Sequence, residues 1–198
     1  MTRRTTALAA ALSLLPLGQP LLLGSTTAVA TAAVVLSPQA AHAQSAEDYV
    51  NRGNTKYDLR DYQGAIADYS KAIEINPEDA DFYYNRDNAK NYLGDHQGAI
   101  SDLNKAIEMN PQDADAYTSR SAAKLILGDS QGALNDANRS IEIVPKNSFA
   151  YHNRGNAKSM LKDYQGACND YKKAISLGNQ NTTQYLNSKN GAWCRNVR

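Results

Sequence analysis

Residues 61–77 read DYQGAIADYSKAIEINP, and close copies return at 95–111, 129–145 and 163–179. The offset is 34 residues each time, with no insertion. Pro77, Pro111 and Pro145 share one column, and the Gln-Gly pairs that begin at Gln63, Gln97, Gln131 and Gln165 share another. An unbroken period of this length demands stacked copies of one supersecondary unit rather than a single irregular core.

The unit is legible in registers 46–79, 80–113, 114–147 and 148–181. Each opens with an aromatic residue, Tyr49, Tyr83, Tyr117 or Tyr151, ahead of a helix-favouring stretch. Gly53, Ser121 and Gly155 follow as small residues in the next turn. Gly94 and Gly128 suit the left-handed residue that ends a helix. Asp61, Asp95, Asp129 and Asp163 come next, and Asp accepts hydrogen bonds from the free N–H groups of a helix start. In the second segment Ala65, Ile66, Tyr69, Ala72 and Ile73 recur at three- and four-residue spacing, which is a helical period. The proline column then stops that helix. The spacing predicts two antiparallel helices per unit and an all-α fold.

These columns resemble the tetratricopeptide repeat family, whose 34-residue pattern runs aromatic, Gly, Ala, aromatic, Ala, Pro. The first register reads Tyr49, Gly53, Ala65, Tyr69, Ala72, Pro77; the second Tyr83, Asp87, Ala99, Leu103, Ala106, Pro111. The third reads Tyr117, Ser121, Ala133, Ala137, Ser140, Pro145, and the fourth Tyr151, Gly155, Ala167, Tyr171, Ala174, with Asn179 in place of Pro. The resemblance implies a solenoid of four helix pairs in a right-handed superhelix. Its first-type helices would line a concave groove.

The departures from that pattern are informative. Asp87 stands where a small residue lets two helices approach, and a buried carboxylate is costly unless paired; Lys90 or Arg86 is the expected partner. Arg52, Arg86, Arg120 and Arg154 replace the family's usual Leu, and Lys56, Lys90, Lys124 and Lys158 its usual Tyr. Folding each pair antiparallel sets Arg52 opposite Asp68, Arg86 opposite Asp102, Arg120 opposite Asp136 and Arg154 opposite Asp170. A ladder of ion pairs within the repeats is expected; a basic binding strip is the alternative.

Residues 182–198 look like one further first-type helix, with Tyr185 in the aromatic column, capping the exposed face of the fourth repeat. Trp193 would pack into that face. An antiparallel cap brings Cys168 opposite residues 192–194, so a Cys168–Cys194 disulfide is expected in an oxidising compartment. Two separately buried thiols are the alternative.

The compartment is argued from residues 1–43. Arg3 and Arg4 precede a long uncharged apolar stretch, and Ala41-His42-Ala43 offers a small-residue cleavage site. This is the order of a signal peptide. An uncleaved apolar leader helix that anchors the chain in a membrane is the alternative, and Arg3-Arg4 leaves ordinary and twin-arginine export open. Either way the repeats are expected outside the cytoplasm, in a periplasm, a thylakoid-type lumen or the extracellular space. Past residue 46 the chain carries 19 Lys and Arg against 20 Asp and Glu. So even a balance leaves no basic footprint for nucleic acid.

No catalytic constellation, nucleotide loop or metal-ligand spacing is present, and His96 and His152 lie in different repeats. The chain is therefore expected to be no enzyme, with no cofactor, no metal and no small-molecule substrate. The family resemblance places Asn51, Asn54, Asn85, Asn88, Ser119, Ala122, Asn153 and Asn156 on the concave face. Tyr57, Tyr84, Tyr92, Leu125, Ile126, His152 and Met160 surround them. An Asn side chain donates and accepts together, so such a ladder suits the main chain of an extended peptide; a merely solvated polar face is the alternative. The expected function is an exported scaffold that holds a peptide segment of a partner protein and assists assembly of an envelope or lumenal complex. Self-association, with another copy in the groove, is the second reading.

Overall fold

The computed structural model describes residues 44–188 and 191–196. The leader and its proposed cleavage site lie outside them. Eight helices form four antiparallel pairs: α1 Ala46–Asp58 with α2 Tyr62–Ile75, α3 Ala80–Tyr92 with α4 His96–Met109, α5 Ala114–Ile126 with α6 Ser130–Ile143, and α7 Ser148–Met160 with α8 Tyr164–Ser176. A ninth helix, α9 Gln180–Asn187, and a short 3-10 turn, Ala192–Asn196, close the chain. No strand occurs among the described residues.

Local chemistry accounts for the boundaries. The side chains of Asp61, Asp95, Asp129 and Asp163 accept from the backbone N–H of Gly64, Gly98, Gly132 and Gly166 at 2.8–2.9 Å, capping every second-type helix. Asn76 and Val144 are extended ahead of Pro77 and Pro145, the conformation that proline imposes on its predecessor. The turn within each pair ends on a left-handed residue. Gly94 and Gly128 fill that place in the second and third repeats, but Arg60 (φ 63°) and Lys162 (φ 67°) fill it in the first and fourth.

Each helix packs against the next along the chain, and α1 also touches α3 as α5 touches α7. Second-type helices show no comparable mutual packing among the described residues. First-type helices therefore crowd together on the inside of the array. Close approach rests on columns of fully buried alanine, such as Ala65, Ala99, Ala133 and Ala167, all with no exposed surface.

Volume is exchanged between helices within a repeat. A Cβ on Gly53 would come 2.6 Å from the Tyr69 ring, and one on Gly155 the same distance from Tyr171. In the third repeat the pair is Ser121 with Ala137, and Ser121 donates its hydroxyl to the Ala133 carbonyl at 2.9 Å. In the second it is Asp87 with Leu103. Asp87 is not held by Lys90 or Arg86, as the sequence suggested. Both of those cations reach Asp102, and Asp87 Oδ1 instead accepts from Asn91 Nδ2 at 2.6 Å. Its Oδ2 has no partner.

The cap differs in form from the expected single helix over 182–198. It begins two residues earlier, at Gln180, and runs only to Asn187, with Ser188 extended. Gly191 lies against that helix: a Cβ on it would strike the Tyr185 carbonyl and the Leu186 Cα, so only glycine fits there. Cys168 and Cys194 are bridged, with Cα atoms 5.3 Å apart. Buried Tyr171 and Leu186 and the Trp193 and Tyr185 rings pack around that bridge.

Candidate functional site

The Arg and Lys columns face the second-type helices. Arg52, Arg86, Arg120 and Arg154 each hold their Asp with two hydrogen bonds, from Nε at 2.8–2.9 Å and from Nη2 at 2.5–2.7 Å. Lys56, Lys90, Lys124 and Lys158 reach the same carboxylates at 2.7–2.8 Å. Asp68, Asp102, Asp136 and Asp170 are buried, so two cations per carboxylate replace the lost water. The Arg52 guanidinium holds the Asp68 carboxyl down at about 2. Each guanidinium also lies over a tyrosine ring of its own helix, Tyr49, Tyr83, Tyr117 or Tyr151, at 4.8–5.7 Å. In three of the four the third nitrogen reaches back to the preceding unit, Arg86 to Ser70, Arg120 to Asn104 and Arg154 to Asn138, while that of Arg52 donates to Gln44. These cations are structural couplers and are not free for a ligand.

The opposite face of the first-type helices carries a row of hollows. One of about 400 Å³, between α1 and α3, is lined by Asn54, Tyr57, Asp58, Tyr69, Asn85 and Asn88. Two more lie along α3 and α5. Tyr92, Asn91, His96, Ser119, Ala122, Ala123 and Ile126 line the first. Tyr84, Asp115, Thr118, Phe149 and Asn153 are among those lining the second. A fourth, between α5 and α7, is lined by Leu125, Ile126, Asn156, Met160 and Tyr185. Asn51 and His152 line none of these four.

The asparagines are not equivalent. Asn54 accepts from the Tyr69 hydroxyl, and Asn156 from that of Tyr171, each at 2.8 Å. The same column holds Asn88 above Leu103 and Ala122 above Ala137, where no hydroxyl is available. Asn153 is buried and donates to the Thr118 carbonyl at 3.0 Å, tying α7 to α5. Asn85 and Asn88 make no side-chain hydrogen bond to a described residue and line the first hollow. His152 sits against the cap: Nδ1 lies 2.7 Å from Thr182 Oγ1 and Nε2 3.1 Å from Asn156 Nδ2. Burial lowers its pKa.

A cluster of aromatic rings joins the first hollow, which Tyr57 lines, to the second, which Tyr92 lines. Tyr62 stacks on Tyr92 at 4.7 Å, and Tyr57 meets both edge-on. Tyr92 is 65% exposed, so the stack presents an open ring toward the groove. Burial pushes the Tyr57 hydroxyl up, and the Tyr69 hydroxyl to about 12. Both are therefore neutral hydrogen-bonding groups at physiological pH. Sequence reasoning passed over Asp58, Asn91, Asp115 and the Tyr69–Asn54 bond. The last was readable only in part from the columns, because Asn54 and Asn156 stand with Tyr69 and Tyr171 but Asn88 stands with Leu103.

Among the described residues no cluster of three or more His, Cys, Asp or Glu could hold a metal ion. Likewise, no described helix is long and apolar enough to cross a membrane. Family models described as "TPR repeat" and "Tetratricopeptide repeat" match residues 53–89, 88–148 and 150–181. The chain is a tetratricopeptide repeat protein. Its solenoid is similar to the crystal structure of MamA, at 25% identity and a TM-score of 0.66, over 73% of this chain and 84% of that one. It is also similar to the first TPR of Spaghetti (RPAP3) bound to the HSP90 peptide SRMEEVD, at 28% identity and 0.59, over 60% and 94%. The Arabidopsis OM64 TPR domain aligns at 26% identity and 0.56, over 58% and 94%. No curated protein matches the sequence.

Proposed function

We propose that this repeat protein is an exported interaction scaffold that holds a peptide segment of a partner protein along its inner face and assists assembly of an envelope or lumenal complex. The observation that carries this reading is the pair Asn85 and Asn88. Their unpartnered amides line a hollow beside Tyr57 and close to the exposed ring of Tyr92. An amide that donates and accepts can hold peptide main chain, while the rings cover its side chains. The solved repeat bound to an HSP90 peptide supports a peptide as the ligand class. Export is supported by the leader's residue order and by the Cys168–Cys194 bridge, since disulfides persist outside reducing compartments.

The test is cross-linking capture from the native compartment with the full chain and an Asn85→Arg/Asn88→Arg variant. The variant is expected to lose the partners captured by the parent. An unchanged set of partners would show that this face is not the interface. Light scattering of the purified chain separates the scaffold reading, which expects a monomer, from self-association, which expects a dimer.

A further inference from the structure

The first-type helices carry an uneven charge. Every Lys and Arg on α1, α3, α5 and α7 belongs to the eight that clamp Asp68, Asp102, Asp136 and Asp170. The acids of the same helices are treated differently. Glu47, Asp58, Asp81 and Asp115 form no ion pair with a described residue, and Asp58 and Asp115 line hollows of the inner face. The groove-lining helices therefore offer no free cation and keep unpaired carboxylates. That balance opposes an acidic segment such as the SRMEEVD peptide held by the similar solved repeat. Clefts lined by one sign of charge concentrate the opposite sign.

A second observation concerns shape. The hollow between α3 and α5, of about 290 Å³, is lined by apolar Ala122, Ala123 and Ile126 and by polar Asn91, His96 and Ser119. Ile126 and Tyr92 are 63% and 65% exposed, which leaves them able to cover an incoming apolar group. On the premise that the groove binds peptide, we propose that it selects a cationic segment: a stretch bearing Lys or Arg beside a large apolar side chain. The cation is set against Asp58 or Asp115, and the apolar group enters the Ala122–Ile126 hollow.

A random peptide display library panned on the full chain tests this, with an Asp58→Asn/Asp115→Asn variant panned alongside. The parent is expected to enrich peptides with Lys or Arg close to an apolar residue. Binding of a selected peptide should weaken about two- to fivefold for each carboxylate removed, and should weaken as salt is added. Enrichment of neutral or acidic peptides, or undiminished cationic binding by the variant, would overturn the charge selection while leaving the groove reading in place. A library that yields nothing, or selected peptides that bind Asn85→Arg/Asn88→Arg as well as the parent, would overturn the groove reading itself. Circular dichroism of the variants confirms that all are folded, since every substituted side chain lines the surface.

Discussion

At position 87 a carboxyl takes the place that glycine holds in the first and fourth repeats. It has no exposed surface, one hydrogen bond and one unpartnered oxygen. Burial, with the Asp102 charge adding to it, raises its pKa from 3.8 to about 8. The folded state thus keeps a proton that the unfolded state has lost across that interval. The stabilising effect of the proton is complete below pH 3.8 and disappears as pH rises to about 8. Urea unfolding should show stability falling between pH of about 5 and about 8, and Asp87→Asn should flatten the slope and gain about 2 kcal/mol or more at the upper end. Leu103 is what makes room for this acid. Leu103→Tyr alone should destabilise by about 1–3 kcal/mol, because the ring would meet the Asp87 Cβ. Combined with Asp87→Gly it rebuilds the Gly53–Tyr69 pair, with Asn88 ready to accept from the new hydroxyl as Asn54 does. A double-mutant cycle should therefore return a favourable coupling of about 1 kcal/mol or more, and no coupling would mean that the two repeats differ in backbone as well as side chain. Arg60 and Lys162 raise the converse case, since each holds a left-handed conformation that glycine adopts freely. Changing either to Gly should gain about 0.5 kcal/mol in thermal or urea unfolding.

Helix pairing was legible from the sequence because its causes are local. The Asp caps, the left-handed turn and the Pro column sit at fixed offsets, and each acts within one turn of its own helix. The Arg–Asp register was legible for the same reason, as it follows from folding two helices about a known turn. What the columns could not show was the third contact of Arg86, Arg120 and Arg154, to the preceding repeat, because that depends on how one pair stacks on the next. The guanidiniums of Arg86, Arg120 and Arg154 thus each link three elements: their own tyrosine ring, the Asp of the second helix and the neighbouring unit. Arg120→Ala should cost about 2–3 kcal/mol in urea unfolding, less than for a wholly orphaned buried charge, because Lys124 still covers Asp136. Arg120→Lys should recover only part of this, since a lysine cannot form the two-point contact and lie over Tyr117 together. If Arg120→Ala were neutral, the ladder would be a by-product of register rather than a support of the stack.

In a stacked array each unit is stabilised by its own pair and by its neighbours, so the ends are the weak points. The sequence placed the asparagines on the inner face but could not tell which were free, because Asn54 and Asn156 are engaged by a tyrosine of the partner helix in their own repeat, and Asn153 by a contact that only the stacking of one repeat on the next creates. The cap follows the same logic at the C-terminal end. Its segment closes over Tyr171 with Leu186 and Trp193, and His152 and Asn179 fasten Thr182 beneath it. The bridge spans 26 residues, which in the chain-entropy model stabilises by about 3.5 kcal/mol. That constraint lies wholly within the fourth repeat and the cap, so its loss should be felt there first. Hydrogen exchange of the reduced protein is expected to show faster exchange in α8 and α9, little change in α7, and none in α3 to α6. Such a gradient would mean that the groove's central hollows persist when the end is loosened, leaving the binding of a selected peptide intact under reduction. Uniform acceleration across all four pairs would instead mean that the array opens as one unit. The nearest-neighbour account of its stability would then fail.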